Sequence, residues 1–171
     1  TSILSPMKHA LCLFAVGLAL AAEVPFRQSG FEAGPGGLPA GWTSWAARGE
    51  IAPRVFVERF HSRGESGSLA ISGNSNAAAY GGWECTVGGV KPGQWYRLTA
   101  YYRLDAPRHE SLDVVARLDW VTAQGRRAGQ PEYAWQVRPE GEWRRITSQA
   151  PAPDGAAAVK VQLYLQNAPY T

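Results

Sequence analysis

Two stretches of this chain alternate apolar and polar residues for long enough to leave little choice of structure. In Ala158–Gln166, Val159, Val161, Leu163 and Leu165 interleave with Lys160, Gln162, Tyr164 and Gln166. In Tyr96–Leu104, Tyr96, Leu98, Ala100, Tyr102 and Leu104 interleave with Arg97, Thr99, Tyr101 and Arg103. A period of two puts successive side chains on opposite faces of a strand, so each stretch predicts one face on a core and one turned outward. The turn Pro92-Gly93 launches the second of them.

Shorter alternations predict further strands at Arg54–Arg59, from Leu69, and at Trp83–Val87, Leu112–Val121, Tyr133–Val137 and Trp143–Ser148. A break at Gly88-Gly89 permits a bulge. The Gly/Pro-rich run from Ala33 to Gly41 reads as a loop, followed by the aromatic pair Trp42 and Trp45. With Gly 19 and Pro 12 spread between these runs, turns are plentiful. No helical periodicity of useful length appears, and Asp154–Ala158 makes at most a turn of helix. The expectation is an all-β, two-sheet antiparallel β-sandwich.

Ahead of these strands, Met7-Lys8-His9 and the apolar Ala10–Leu20, closed by Ala21-Ala22, read as a secretory signal peptide spanning 7–22. Residues 1–6 precede the apparent start and are read as upstream, non-native sequence, leaving 23–171 as the β-sandwich domain. The apolar run is short for a membrane span of ~20 residues, so a secreted or periplasmic destination is expected, without membrane attachment after cleavage. Of the two cysteines, Cys12 lies in the leader, so Cys85 has no partner for an internal disulfide.

The charge balance excludes one function class and the motifs another. A formal net charge of +3 comes from scattered arginines, with doublets only at Arg126-Arg127 and Arg144-Arg145, which argues against nucleic-acid binding. His61 and His109 sit in separate turn-like segments, and no nucleophile elbow, zinc-binding helix, cysteine pair or phosphate loop accompanies them. Nothing marks Asp113 and Asp119 as acids held across a bound sugar. Cys85, between Trp83 and Val87, reads as a buried thiol.

The order of motifs resembles the galactose-binding-like jelly rolls, the β-sandwich of many secreted carbohydrate-binding modules. The resemblance is carried by Gly30-Phe31-Glu32, Gly41-Trp42, His61-Ser62 through Ser68-Leu69, and Pro92-Gly93 with Tyr96-x-Leu98. Trp143 at the head of a late strand and Ala158-Val-Lys-Val-Gln-Leu complete it, covering residues 30 to 166. It implies a jelly roll whose closing strand would lie beyond Thr171, and a non-catalytic accessory module joined to a C-terminal catalytic domain, a glycosidase or a carbon–nitrogen hydrolase. It also implies a structural calcium ion held by Glu32 with backbone carbonyls around Ser62 and Ser66.

In such modules a sugar lies across one sheet. The alternation expects Tyr101, Arg103, Arg117, Asp119, Gln162, Tyr164 and Gln166 to face one way from three strands that resemble the family's binding sheet. Tyr stacks on the apolar face of a sugar, while amide, carboxylate and guanidinium groups pair with its hydroxyls. Trp45 and Trp83 are expected at the rim, with Trp42, Tyr80 and Trp135 as further aromatics that rim or core can take. Trp95, Trp120 and Trp143 are assigned to structure. The expected ligand is an oligo- or polysaccharide held weakly. The alternative is a structural domain that packs on an attached catalytic domain and binds no sugar, its outward Arg and Asp pairing for only ~0–1 kcal/mol each.

Overall fold

The computed structural model describes residues 16–18, 26–28, 31, 37–63, 67–104 and 109–169. The strands are β1 (Val16–Leu18), β2 (Phe26–Gln28), β3 (Trp42–Ala46), β4 (Arg54–Glu58), β5 (Ser68–Ser72) and β6 (Tyr80–Gly88). They continue with β7 (Trp95–Tyr102), β8 (Val114–Val121), β9 (Glu132–Tyr133), β10 (Gln136–Glu140), β11 (Trp143–Pro151) and β12 (Ala158–Gln166). Among the described residues, helix is confined to single turns, a 3-10 turn at Gly49–Ile51 and α1 (Glu110–Asp113). Among the described residues, no helix is long and apolar enough to cross a membrane.

Two five-stranded sheets carry the fold, in the orders β10-β11-β7-β1-β2 and β3-β6-β12-β8-β9, with the hairpin β4-β5 as a third, two-stranded piece. The described strand pairings are antiparallel. This is a β-sandwich of the jelly-roll kind. The inward sets of the two alternating stretches meet between the sheets: Tyr96, Leu98, Ala100 and Tyr102 from β7 against Val159, Val161, Leu163 and Leu165 from β12, all buried. Leu69 and Ile71 of β5 join this core, and the Trp83 indole donates a 3.0 Å hydrogen bond to the Ala70 carbonyl, tying the hairpin to β6. At the open end, Tyr96 stacks at a tilt on Trp120 with centroids 5.8 Å apart, and its hydroxyl accepts from the Lys91 amide at 2.9 Å.

Several expectations need correction. Trp42–Ala46 is a strand, because Trp42 is drawn into the core beside Phe31 while Trp45 faces out. The region read as one strand at Tyr133–Val137 divides into β9 and β10 in different sheets. Asp154–Ala158 forms no helix, and Asp113 begins no strand but closes α1. Trp95, assigned to structure, is 51% exposed, since it precedes the inward Tyr96 by one position and so takes the outer face. Apart from these corrections, residues 16–18 lie inside the stretch read as a leader. Here they form β1, pairing with β2 and meeting β7 at Gly17↔Thr99. An apolar segment beside an open strand edge satisfies that edge's backbone groups.

Candidate functional site

The outer face of the sheet β3-β6-β12-β8-β9 is built by cross-strand register. One row runs Thr43, Glu84, Gln162, Arg117 and Tyr133 across all five strands. The next row on the same face runs Trp45, Gly82, Tyr164 and Val115, and the following one pairs Tyr80 with Gln166. On the other side of the Gln162 row lie Thr86, Lys160 and Asp119. Antiparallel register places directly opposed residues on a common face, which is why five short polar and aromatic sets coincide here.

The Trp45 and Tyr164 rings approach across Gly82 to 5.1 Å between centroids. Tyr80 closes the cluster, 5.6 Å from Trp45 and 5.5 Å from Tyr164. Beside it the Arg117 guanidinium lies 5.7, 5.3 and 5.5 Å from the rings of Trp45, Tyr164 and Tyr133, within cation–π range. Its Nε donates to Gln162 Oε1 at 2.5 Å and its Nη1 to the Tyr133 hydroxyl at 2.8 Å. Gln162 Nε2 in turn donates to Glu84 Oε2 at 2.5 Å, and Lys160 Nζ binds the other Glu84 oxygen at 2.9 Å. Asp119 is held by Arg127 through contacts of 3.1 and 3.3 Å.

This layer is more buried than an outward face usually is: Arg117 is 8% exposed, Gln162 2% and Tyr164 0%. Long side chains lie over one another, so the network sits where its electrostatics are strong. Burial opposes the charge on Arg117, but the neighbouring Tyr164, the hydrogen bond and field of Tyr133, and the Asp119 carboxylate outweigh it and hold the group above the ordinary arginine value. Burial pushes the Tyr164 phenol well above its usual range, against the opposing pull of Arg117. The Tyr164 hydroxyl makes no hydrogen bond of normal geometry among the described residues, although the neighbouring Tyr80 interacts with it closely enough to raise its pKa further. Next to Tyr133, a cavity of about 170 Å³ runs in between the sheets, lined by Tyr102, Glu110, Val114 and the 73%-exposed Trp135.

Of the residues expected on one face, the structure brings together Arg117, Asp119, Gln162, Tyr164, Gln166 and Trp45. Tyr101 and Arg103 do not join them. They belong to β7 and its end, in the opposite sheet, and face out from the far side of the sandwich. Alternation says which residues of a strand turn outward but not which sheet the strand enters. There Tyr101 lies under the Arg63 guanidinium at 3.4 Å and Arg103 pairs with Glu142 at 3.6 Å.

Trp83 is also misplaced as a rim residue, since it points into the core with 0% exposure. Its indole N–H finds a backbone acceptor there, which removes the penalty for burying it. Glu32 and Ser66 lie outside the described residues, Ser62 is half-buried, and no three His, Cys, Asp or Glu side chains converge among the described ones. Sequence reasoning missed Glu84, Tyr133, Lys160 and Arg127 as parts of the network. Their signal lies in the pairings Gln162↔Glu84 and Arg117↔Tyr133, which need the register.

A xylan-binding domain of carbohydrate-binding module family 22 superimposes with a TM-score of 0.54 at 17% identity, covering 85% of this chain and 86% of its own. The chain shares its fold with that domain. The enzymatically active domain of bacteriophage CBA120 tailspike protein 4 matches with a TM-score of 0.55 at 12% identity, over 75% of this chain but only 18% of that one. A further xylan-binding domain of family 22, from Paenibacillus barcinonensis, matches with a TM-score of 0.43 at 18% identity, over 75% of this chain and 87% of its own. No protein-family model matches the chain, and no curated protein matches it.

Proposed function

We propose that this domain is a non-catalytic carbohydrate-binding module that holds a polysaccharide of the xylan class, weakly, on the outer face of β3-β6-β12-β8-β9. The observation that carries the reading is the union of Trp45, Tyr80 and Tyr164 with Arg117, Gln162, Glu84 and Tyr133 on that face. An aromatic surface bordered by convergent polar groups suits a sugar, whose ring has an apolar face and a rim of hydroxyls. Export to the periplasm or the medium and covalent linkage to a hydrolase belong to the same reading, the module keeping its partner enzyme near the glycan.

Affinity electrophoresis in gels containing xylan, with a gel lacking polysaccharide as reference, tests it. The wild type is retarded by xylan, and Trp45→Ala, which removes the half-buried stacking surface, runs closer to the reference mobility. Wild-type migration unchanged by any of a panel of plant and bacterial polysaccharides would end the reading. It would favour a second one, docking on an attached enzyme through the opposite sheet. There Arg63 stacks on Tyr101 and pairs with Glu140, and Arg145 lies 3.7 Å from the same carboxylate.

A further inference from the structure

The cations of the candidate face are not treated alike. Lys160 pairs with Glu84 at 2.9 Å and Arg127 with Asp119 at 3.1 Å, so two of them are neutralised. Arg117, at the middle of the face and the most buried of the three, has no carboxylate within ion-pair distance among the described residues. Its acceptors are the neutral Gln162 amide and the Tyr133 hydroxyl. The Asp119 carboxylate acts on it only at a distance, and an apolar or amide side chain would pack the site without the cost of burying a charge. Two of the five guanidinium N–H groups are engaged, which leaves three, one on Nη1 and two on Nη2, in the fork that matches two carboxylate oxygens.

A second, independent feature lies beside it. The Tyr164 hydroxyl is buried and makes no hydrogen bond of normal geometry among the described residues, and the Tyr164 ring borders the same guanidinium. Tyr133, whose hydroxyl sits on Arg117 Nη1, is 45% exposed and belongs to the two-residue edge strand β9, the least anchored part of the sheet.

We infer that Arg117 is the receptor for a carboxylate carried by the glycan, so that the module selects polysaccharides bearing uronic acid units over neutral ones. The carboxylate takes the open side of the guanidinium fork, accepting from the free N–H of Nη1 and from Nη2, while Tyr133 keeps its own bond to Nη1. The sugar ring to which it belongs lies towards Trp45 and Tyr80. A planar, two-oxygen anion suits this fork better than a point charge does. This inference rests on the sugar-binding reading and adds the substrate class to it.

Calorimetric titration with glucuronoxylan, and with the same polymer after chemical reduction of its carboxyl groups to alcohols, tests it. The unmodified polymer binds about tenfold tighter or more, the share expected of a charge-assisted hydrogen-bond pair. In Arg117→Gln the ratio between the two polymers falls to near one, and in Arg117→Lys, which keeps the charge and loses the fork, it falls part-way. Equal wild-type affinity for both polymers overturns the inference and leaves the sugar-binding reading standing, whereas binding to neither overturns both. The wild-type comparison decides the matter even where the variants fail to fold.

Discussion

Replacing Tyr164 with phenylalanine separates what this face does for stability from what it does for ligand. The side chain is fully buried, its ring packs against Trp45 at 5.1 Å and Tyr80 at 5.5 Å, and its hydroxyl makes no hydrogen bond of normal geometry among the described residues. An unsatisfied buried polar group costs ~1–3 kcal/mol, while the ring contacts and the cation–π geometry with Arg117 survive in phenylalanine. Tyr164→Phe therefore stabilises the domain by about 1 kcal/mol or more, which for a chain of this size raises Tm by ~2–4 °C per kcal/mol. Urea titration should show a higher midpoint with an unchanged slope.

The pH dependence has a definite sign. Burial raises the folded-state pKa of Tyr164 from 10.0, so the unfolded chain loses this proton first as pH rises. Wild-type stability from this group is intact below 10.0 and declines above it, and the advantage of phenylalanine widens in that range. If the hydroxyl serves the ligand, the same variant binds xylan more weakly while melting higher. A fall in Tm of more than about 2 °C, roughly 1 kcal/mol of lost stability, would refute the claim that the hydroxyl is unsatisfied.

Three further outcomes follow from the packing. Trp83→Phe removes the indole hydrogen bond to the Ala70 carbonyl and shrinks a fully buried side chain, lowering stability by ~2–4 kcal/mol in a denaturant titration. Gly82→Ala places a Cβ 2.3 Å from the Leu163 carbonyl oxygen and 2.7 Å from Tyr164 Cα, forcing β6 from β12. The same Cβ meets the core side chain of Ile71 at 2.7 Å, and the cost in thermal unfolding is ~1–3 kcal/mol. Burial, reinforced by Glu84, pushes the Cys85 thiol from 9.0 up to about 11, so Ellman's reagent at pH 8 reacts with it only on unfolding. The stability contributed by this group is whole below pH 9.0 and is lost as pH climbs towards about 11.

The legibility of the fold followed the length of each alternation. Ala158–Gln166 is β12 to the residue, because nine positions of strict period two admit one structure. Trp42–Ala46 escaped notice because a Gly/Pro-rich run leads into it and its short Trp-Thr-Ser-Trp-Ala pattern lacks aliphatic residues. The candidate site was half legible for a related reason. Arg117, Gln162 and Tyr164 were recognisable as outward residues of good strands, but Tyr101 looked equivalent until the pairing of β7 with β11 put it across the sandwich. Trp83 carries the same type of side chain as Trp45. Only their opposite parity along β6 and β3, set by the Trp45↔Gly82 register, separates them.

The strand order has a consequence for biosynthesis. β12, whose residues come after all the other described strands, lies at the centre of its sheet between β6 and β8, filling the gap that otherwise separates them. While a ribosome is still making residues 158–166, β6 and β8 each present an unpaired edge, the latter rich in Val, and such edges are prone to pair with other chains until β12 emerges between them.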